Sequence, residues 1–127
     1  MRELFLVGTG GFIGSVARYL LSGAVTNATT ASRFPFGTLA VNTVGCLVIG
    51  ALAGVSENTG AFSANTRLLL FTGVLGGFTT FSALAFETWF LGRDNAWSFA
   101  LVNIVAQVVL GLGAVVIGHQ AAILVSR

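Results

Sequence analysis

The sequence predicts an all-α integral membrane protein with four transmembrane helices, and two observations carry that prediction. Only 8% of the 127 residues are charged and 55% are hydrophobic, whereas an ordinary soluble domain is about 25% charged. The apolar residues also fall into four runs separated by three polar connections. Each run approaches or exceeds the roughly 20 residues needed to cross a bilayer.

The first span covers residues 4–25 and contains Arg18. Arg2 is followed by Glu3, and no A-x-A-like exit closes the run, so it reads as a span rather than a cleaved signal. The second covers 37–55 without a charge, and Pro35 suits the loop just before it. The third covers 67–91 and is free of charge from Leu68 to Phe86. The fourth covers 96–124, with His119 as its one titratable group. His119 reads as interfacial. The whole chain reads as one four-span membrane domain.

Small residues recur at four-residue spacing: Gly10 and Gly14 before Arg18 in the first span, and Cys46, Gly50 and Gly54 in the second. This spacing lets helix backbones approach closely, within or between subunits. Four helices alone leave little lumen, so an oligomer is the expected working unit. The lone Cys46 offers no disulfide framework and reads as a small buried residue. A net charge of +2 without a basic cluster excludes nucleic acid as a partner.

An even number of spans puts both termini on one side. Arg2, Arg67 and Arg127 fall there, against Arg33, Arg93 and, at the nearer interface, Arg18. The balance gives almost no orientation signal. Either the rule reads this chain imperfectly, or the protein inserts both ways and pairs antiparallel.

Polar groups within a span need partners or a task. Arg18 either snorkels to the interface or marks a vestibule that attracts anions. Asn42, with Thr38 one turn earlier, is either an interhelical hydrogen bond or a pore-lining donor. Asn103 and Gln107 share one face of the fourth span with Gly111. They either join helices or line a polar track with neutral N–H donors. Glu87 is a proton or cation carrier, a cap, or the partner of an arginine.

The third span holds the least ordinary stretch, GVLGGFTTFSALAFE, from Gly73 to Glu87. Glycine costs roughly 1 kcal/mol in a helix interior relative to alanine, and Gly73, Gly76 and Gly77 fall within one short run. A break near Gly76–Thr80 is expected. Unsatisfied backbone in lipid is tolerated only inside protein or against a cavity. Freed carbonyls near Gly76 and Thr79 suit a small cation, and the following half-helix would present Phe81 and Ser82 to an anion path. The other reading is tight packing of small residues, with hydroxyls bonded to the preceding turn.

The segments GGFIGSVARYLL, FPFGTLAVNTVGCLVIG and GVLGGFTTFSALAFE closely resemble the CrcB/Fluc family of fluoride channels. The match spans nearly the whole chain in order. The resemblance implies an antiparallel dual-topology homodimer with two fluoride pathways near the subunit interface. It further implies a central structural sodium ion on backbone carbonyls, which fall on Gly76 and Thr79 here. Asn42 corresponds to the pore-lining Asn, Arg18 to the vestibule Arg, Phe81 to the first motif phenylalanine, and Glu87 to the Glu after the motif. An aromatic ring has a positive edge that fluoride can approach.

This chain departs from the family pattern at two positions of the third-span motif and two of the fourth span. Ala83 and Leu84 stand where Thr and Phe are usual, and Asn103 and Gln107 stand where Tyr and Ser are common. Phe86 points to another helix face than Leu84, and Phe78 lies in the expected break. The resemblance therefore implies a fluoride pathway through Asn42, Thr80, Phe81, Ser82, Leu84, Asn103 and Gln107, with either an identical or a complementary second subunit.

The expected function is passive fluoride export across a bacterial or archaeal cytoplasmic membrane, surrounded by lipid, with no enzymatic chemistry. The alternatives are a small dual-topology drug/proton antiporter and a non-conducting subunit. The antiporter needs a carboxylate in the middle of the first span, where this chain has only Glu3 at the outer end. GTGGFIG lacks the strand–turn–helix setting of a nucleotide loop.

Overall fold

A computed structural model describes residues 1–126, and within them four helical spans are long and apolar enough to cross a membrane. They are α1 (Arg2–Ala28), α2 (Phe36–Thr59), a composite third span (Ala64–Arg93) and α6 (Trp97–Val125). The helices run up to four residues beyond the expected ends, where hydropathy falls while helical hydrogen bonding continues into the interface. Arg127, counted in the charge balance, lies outside the described residues.

The ends follow local chemistry. Pro35 precedes the first turn of α2, where its missing N–H is not needed. Gly60 ends α2 in the left-handed conformation (φ 63°). Asn95, also left-handed (φ 57°), turns the chain into α6. The third span consists of α3 (Ala64–Arg67), a π-helical stretch (Leu68–Leu75), α4 (Gly76–Phe78) and α5 (Phe81–Arg93). Thr79 and Thr80 between α4 and α5 are extended (φ/ψ −84°/158° and −151°/113°).

The spans pack as two parallel pairs. α1 lies along the third span, with Gly10 against Leu69 and Gly73 and with Gly11 against Gly77. α2 lies along α6, with Gly50 against Val115 and Gly54 against His119. The contacts are backbone to backbone. A Cβ on Gly10 or Gly77 would stand 2.6 Å from the carbonyl oxygen of Leu69 or Gly11. The small residues singled out in the sequence are therefore the seams of the bundle, with Gly10, Gly14, Gly50 and Gly54 all buried.

The interior is built of glycines, a few apolar side chains such as Val41 and Leu75, and several polar ones, and the outside is apolar. Thr38, Ser56, Asn103 and Gln107 are buried, whereas Phe5, Phe12, Tyr19, Leu112 and Ile117 are exposed. In water this would be inverted. In lipid it is the expected arrangement, because hydrocarbon solvates large apolar side chains and close packing falls to small ones.

Candidate functional site

The site is built on the interruption of the third span. In a continuous helix the Thr80 N–H would bond the Gly76 carbonyl. Here it donates to Asn42 Oδ1 at 2.9 Å. Asn42 Nδ2 donates back to the Thr80 carbonyl at 3.1 Å. One carboxamide on α2 thus satisfies both polar groups of the Thr80 peptide. The second Nδ2 hydrogen goes to Gln107 Oε1 on α6 at 2.9 Å, so both donors of Asn42 are committed inside the protein.

The helix then restarts under its own cap. Thr80 Oγ1 accepts from the Ala83 N–H at 3.2 Å and lies 3.1 Å from Ser82 Oγ. On the other side of the interruption, Thr79 donates its N–H and its hydroxyl to the Leu75 carbonyl at 3.0 and 2.9 Å. The Gly77 carbonyl, which the extended backbone also releases, lies 3.5 Å from Ser15 Oγ on α1.

A cavity of about 430 Å³ opens beside this junction. Asn42, Gly76, Thr79, Thr80, Phe81, Leu84 and Gln107 all line it, gathering seven of the expected site residues. Phe81 is 80% exposed and borders this cavity, whose walls are mainly apolar, with Ile49, Phe71, Leu75 and Val108 among them. Gln107 Nε2 is buried and has no hydrogen-bond partner. Asn103 sits apart: it is fully buried and donates to Thr88 Oγ1 on α5 at 3.0 Å. It joins α6 to α5, one of the two roles its position allowed.

A second cavity, of about 490 Å³, is lined by Arg18, Ser15, Ser22, Thr26, Thr38, Thr80 and Glu87, among others. Thr80 is common to both cavities. Hydroxyls therefore share one cavity with the Arg18 side chain and reach the interruption at Thr80.

A family model, CrcB-like protein, Camphor Resistance (CrcB), matches residues 5–119. The chain belongs to the CrcB family. It is 47% identical over 120 residues to a fluoride-specific ion channel FluC of Methylobacillus flagellatus, covering 94% of each chain. It is 46% identical to a protein of the same name from Nitratidesulfovibrio vulgaris, covering 88% of this chain and 90% of the relative. An archaeal relative, fluoride-specific ion channel FluC 1 of Methanosarcina acetivorans, is 43% identical and covers 97% and 92%.

Some contacts of this CrcB chain were not legible in its sequence. Glu87 Oε1 accepts the Thr38 hydroxyl, so among the described residues its partner is a threonine rather than an arginine. Thr38 was visible only as a neighbour of Asn42 on α2. Thr88 carried no signal as the partner of Asn103. His119 contacts Glu57 at 2.9 Å, closing the ends of α2 and α6. Each pair joins different helices, and helical periodicity says nothing about which faces meet.

Proposed function

We propose that this chain is a fluoride-selective passive channel that exports fluoride across the cytoplasmic membrane of a bacterium or archaeon. One observation carries the reading: five of the seven residues expected to form the pathway, Asn42, Thr80, Phe81, Leu84 and Gln107, line one cavity at the extended Thr79–Thr80 junction, while Ser82 and Asn103 lie outside it. The names of the relatives support the choice of ion. Transport of this kind needs no catalytic group and no energy source.

Arg18 raises the local anion concentration at the mouth. Hydroxyls of Ser15 and Thr80, on the side of Arg18 nearer the interruption, then offer hydrogen bonds in place of water. At the junction, the N-terminus of α5 brings the positive end of a 13-residue helix toward the anion. Phe81 adds ring-edge hydrogens. Fluoride is small and strongly hydrated, so closely spaced donors are needed to replace its shell. A larger halide fits neither the width nor the spacing.

The working unit is an antiparallel, dual-topology homodimer of a single four-span domain. The exposure of Phe81 supports a partner at that face, and the balanced arginines support insertion in both orientations. A structural sodium ion at the dimer centre would rest on the Gly76 and Thr79 carbonyls of each subunit. The donor set fits. The Thr80 N–H that would occupy the Gly76 carbonyl is diverted to Asn42, and hard cations prefer oxygen ligands. Among the described residues no cluster of three or more His, Cys, Asp or Glu side chains competes for the role. The ion would pin the two interruptions together.

The test is fluoride efflux from liposomes containing the purified protein alone, beside a chloride control. Fluoride release without chloride release is expected. Proton-coupled cation uptake would instead support an antiporter. Absence of any flux from well-folded protein would remove the homomeric channel, and restoration by a second CrcB subunit would identify a heterodimer.

A further inference from the structure

We propose that the cleft between α5 and α6 binds one phospholipid, with its phosphate on Arg93 and an acyl chain lying along α6. The proposal adds a ligand to the chain and does not depend on which ion the protein carries.

The cleft has a volume of about 500 Å³ and two chemically distinct ends. Trp89, Arg93 and Trp97 form its mouth, beside the short connection that joins the two helices. Leu101 and Ile104 line its far end. From Trp97 to Ile104 the helix descends about 10 Å, at roughly 1.5 Å per residue, which leads from the interface into the hydrocarbon. Both tryptophans are exposed, in the setting where aromatic side chains mark the headgroup level. Leu101 and Ile104 are exposed as well, so the cleft is open to the bilayer along its length. Gly92 lets the mouth take this shape, because a Cβ there would stand 3.0 Å from the Trp97 ring.

Arg93 is held ready for an oxyanion. Its guanidinium carbon lies 4.3 Å from the centre of the Phe90 ring and 5.4 Å from that of Trp89, so two aromatic neighbours brace it. Its Nε contacts Asp94 Oδ1 at 3.3 Å. Among the described residues no side chain takes its two terminal nitrogens. These form the fork that matches two oxygens of one phosphate. Asp94 offsets much of the local charge and itself lines a different cavity with Arg33, so directed hydrogen bonds rather than bulk attraction select the ligand. A free phosphate has no use for the apolar trough, and a plain hydrocarbon has none for the arginine. A phospholipid carries both parts at the required depths.

Occupancy also bears on how α5 and α6 hold together. Thr88 lines the cleft, and its Oγ1 accepts from Asn103, the one side-chain hydrogen bond between these two helices among the described residues. A chain packed along this wall shields that bond and should raise the melting temperature.

The experiment uses the purified full chain in detergent with one of three probes: phosphatidylglycerol, diacylglycerol with the same acyl chains, or inorganic phosphate. Thermal unfolding and native mass spectrometry are the readouts. Phosphatidylglycerol should raise the melting temperature and be retained at one molecule per chain, while neither other probe matches it. Phosphatidylethanolamine, which shares the phosphate, should behave like phosphatidylglycerol. Arg93→Gln should weaken phosphatidylglycerol binding about tenfold, the equivalent of one lost charged hydrogen bond, and Arg93→Lys should recover only part of it. Ile104→Trp fills the far end from an exposed position and should weaken binding as well, which serves if the Arg93 variants fail to fold.

Unchanged binding in Arg93→Gln, or in Ile104→Trp where that variant stands in, would overturn the proposal. So would a diacylglycerol effect equal to that of phosphatidylglycerol, which would mean an apolar trough alone. An equal effect of inorganic phosphate would mean an anion site without a lipid. A photo-crosslinking Leu101→p-benzoylphenylalanine variant should capture lipid in liposomes. Capture of a second copy of the chain instead would show that a partner subunit fills the cleft. Fluoride flux is judged separately: a protein that binds the lipid without conducting loses the channel reading and keeps this site.

Discussion

At the scale of the residue, Asn42 has the most demanding position in the molecule. Its single amide satisfies the N–H and C=O of Thr80 and orients Gln107. Asn42→Asp keeps an acceptor for the Thr80 N–H but loses both donations and buries a carboxylate. We expect it to destabilise the protein by about 1–3 kcal/mol and to reduce fluoride efflux at least about tenfold. Thermal unfolding in detergent and liposome efflux measure the two effects. An Asn42→Asp protein that melts and conducts like wild type would remove this role. Arg18 acts at longer range. Arg18→Gln should slow efflux most at low ionic strength, with the difference shrinking as salt shortens the Debye length toward about 8 Å. A deficit that does not depend on salt would show that Arg18 is structural.

At the scale of the element, glycine distribution separates seams from lipid-facing surface. A Cβ on Gly77 would stand 2.6 Å from the Gly11 carbonyl, whereas one on Gly8 or Gly113 meets nothing within 4 Å. Gly77→Ala should therefore push α1 off the third span and cost about 1–3 kcal/mol. Gly8→Ala and Gly113→Ala meet no neighbour and should leave stability unchanged or raise it by up to about 1 kcal/mol. Equal melting temperatures across the three would contradict the packing described here. The spans themselves were legible, because run length and charge depletion leave few alternatives for a chain this apolar. The glycine seams were legible from their four-residue spacing. Pairing between faces was not, as Glu87 illustrates. Its sequence position leaves a carrier, a cap or an arginine's partner open, and only the packing of α2 against α5 brings Thr38 to it. For the same reason the cavity residues could be nominated singly by chemistry, while the Asn42–Gln107 contact across 65 positions could not.

At the scale of the whole molecule, the arginine balance and the exposed Phe81 lead to one expectation about assembly. Ala31→Cys, an uncharged exposed position in the first loop, in a Cys46→Ala background should be labelled by a membrane-impermeant reagent from both sides of the membrane. Cross-linking of purified protein should give dimers. Labelling from one side alone would exclude dual topology while leaving the channel open to other symmetric arrangements.

The parallel pairing of the spans also bears on how the chain is made. Partners that meet in the finished bundle lie 62 to 65 positions apart: Ser15 with Gly77, Asn42 with Gln107, Glu57 with His119. The first hairpin therefore leaves the ribosome about half a chain before any of its tight neighbours. During that interval Arg18 and Asn42 face the bilayer without their final surroundings, and the glycine grooves of α1 and α2 stand open to lipid. Until the second half is made, the first hairpin has only its own α1–α2 contact, where Gly37 lies against Ser22 and Thr26. Quality control would act on that interval, and a slowed second half would expose the intermediate to membrane proteases before the channel exists.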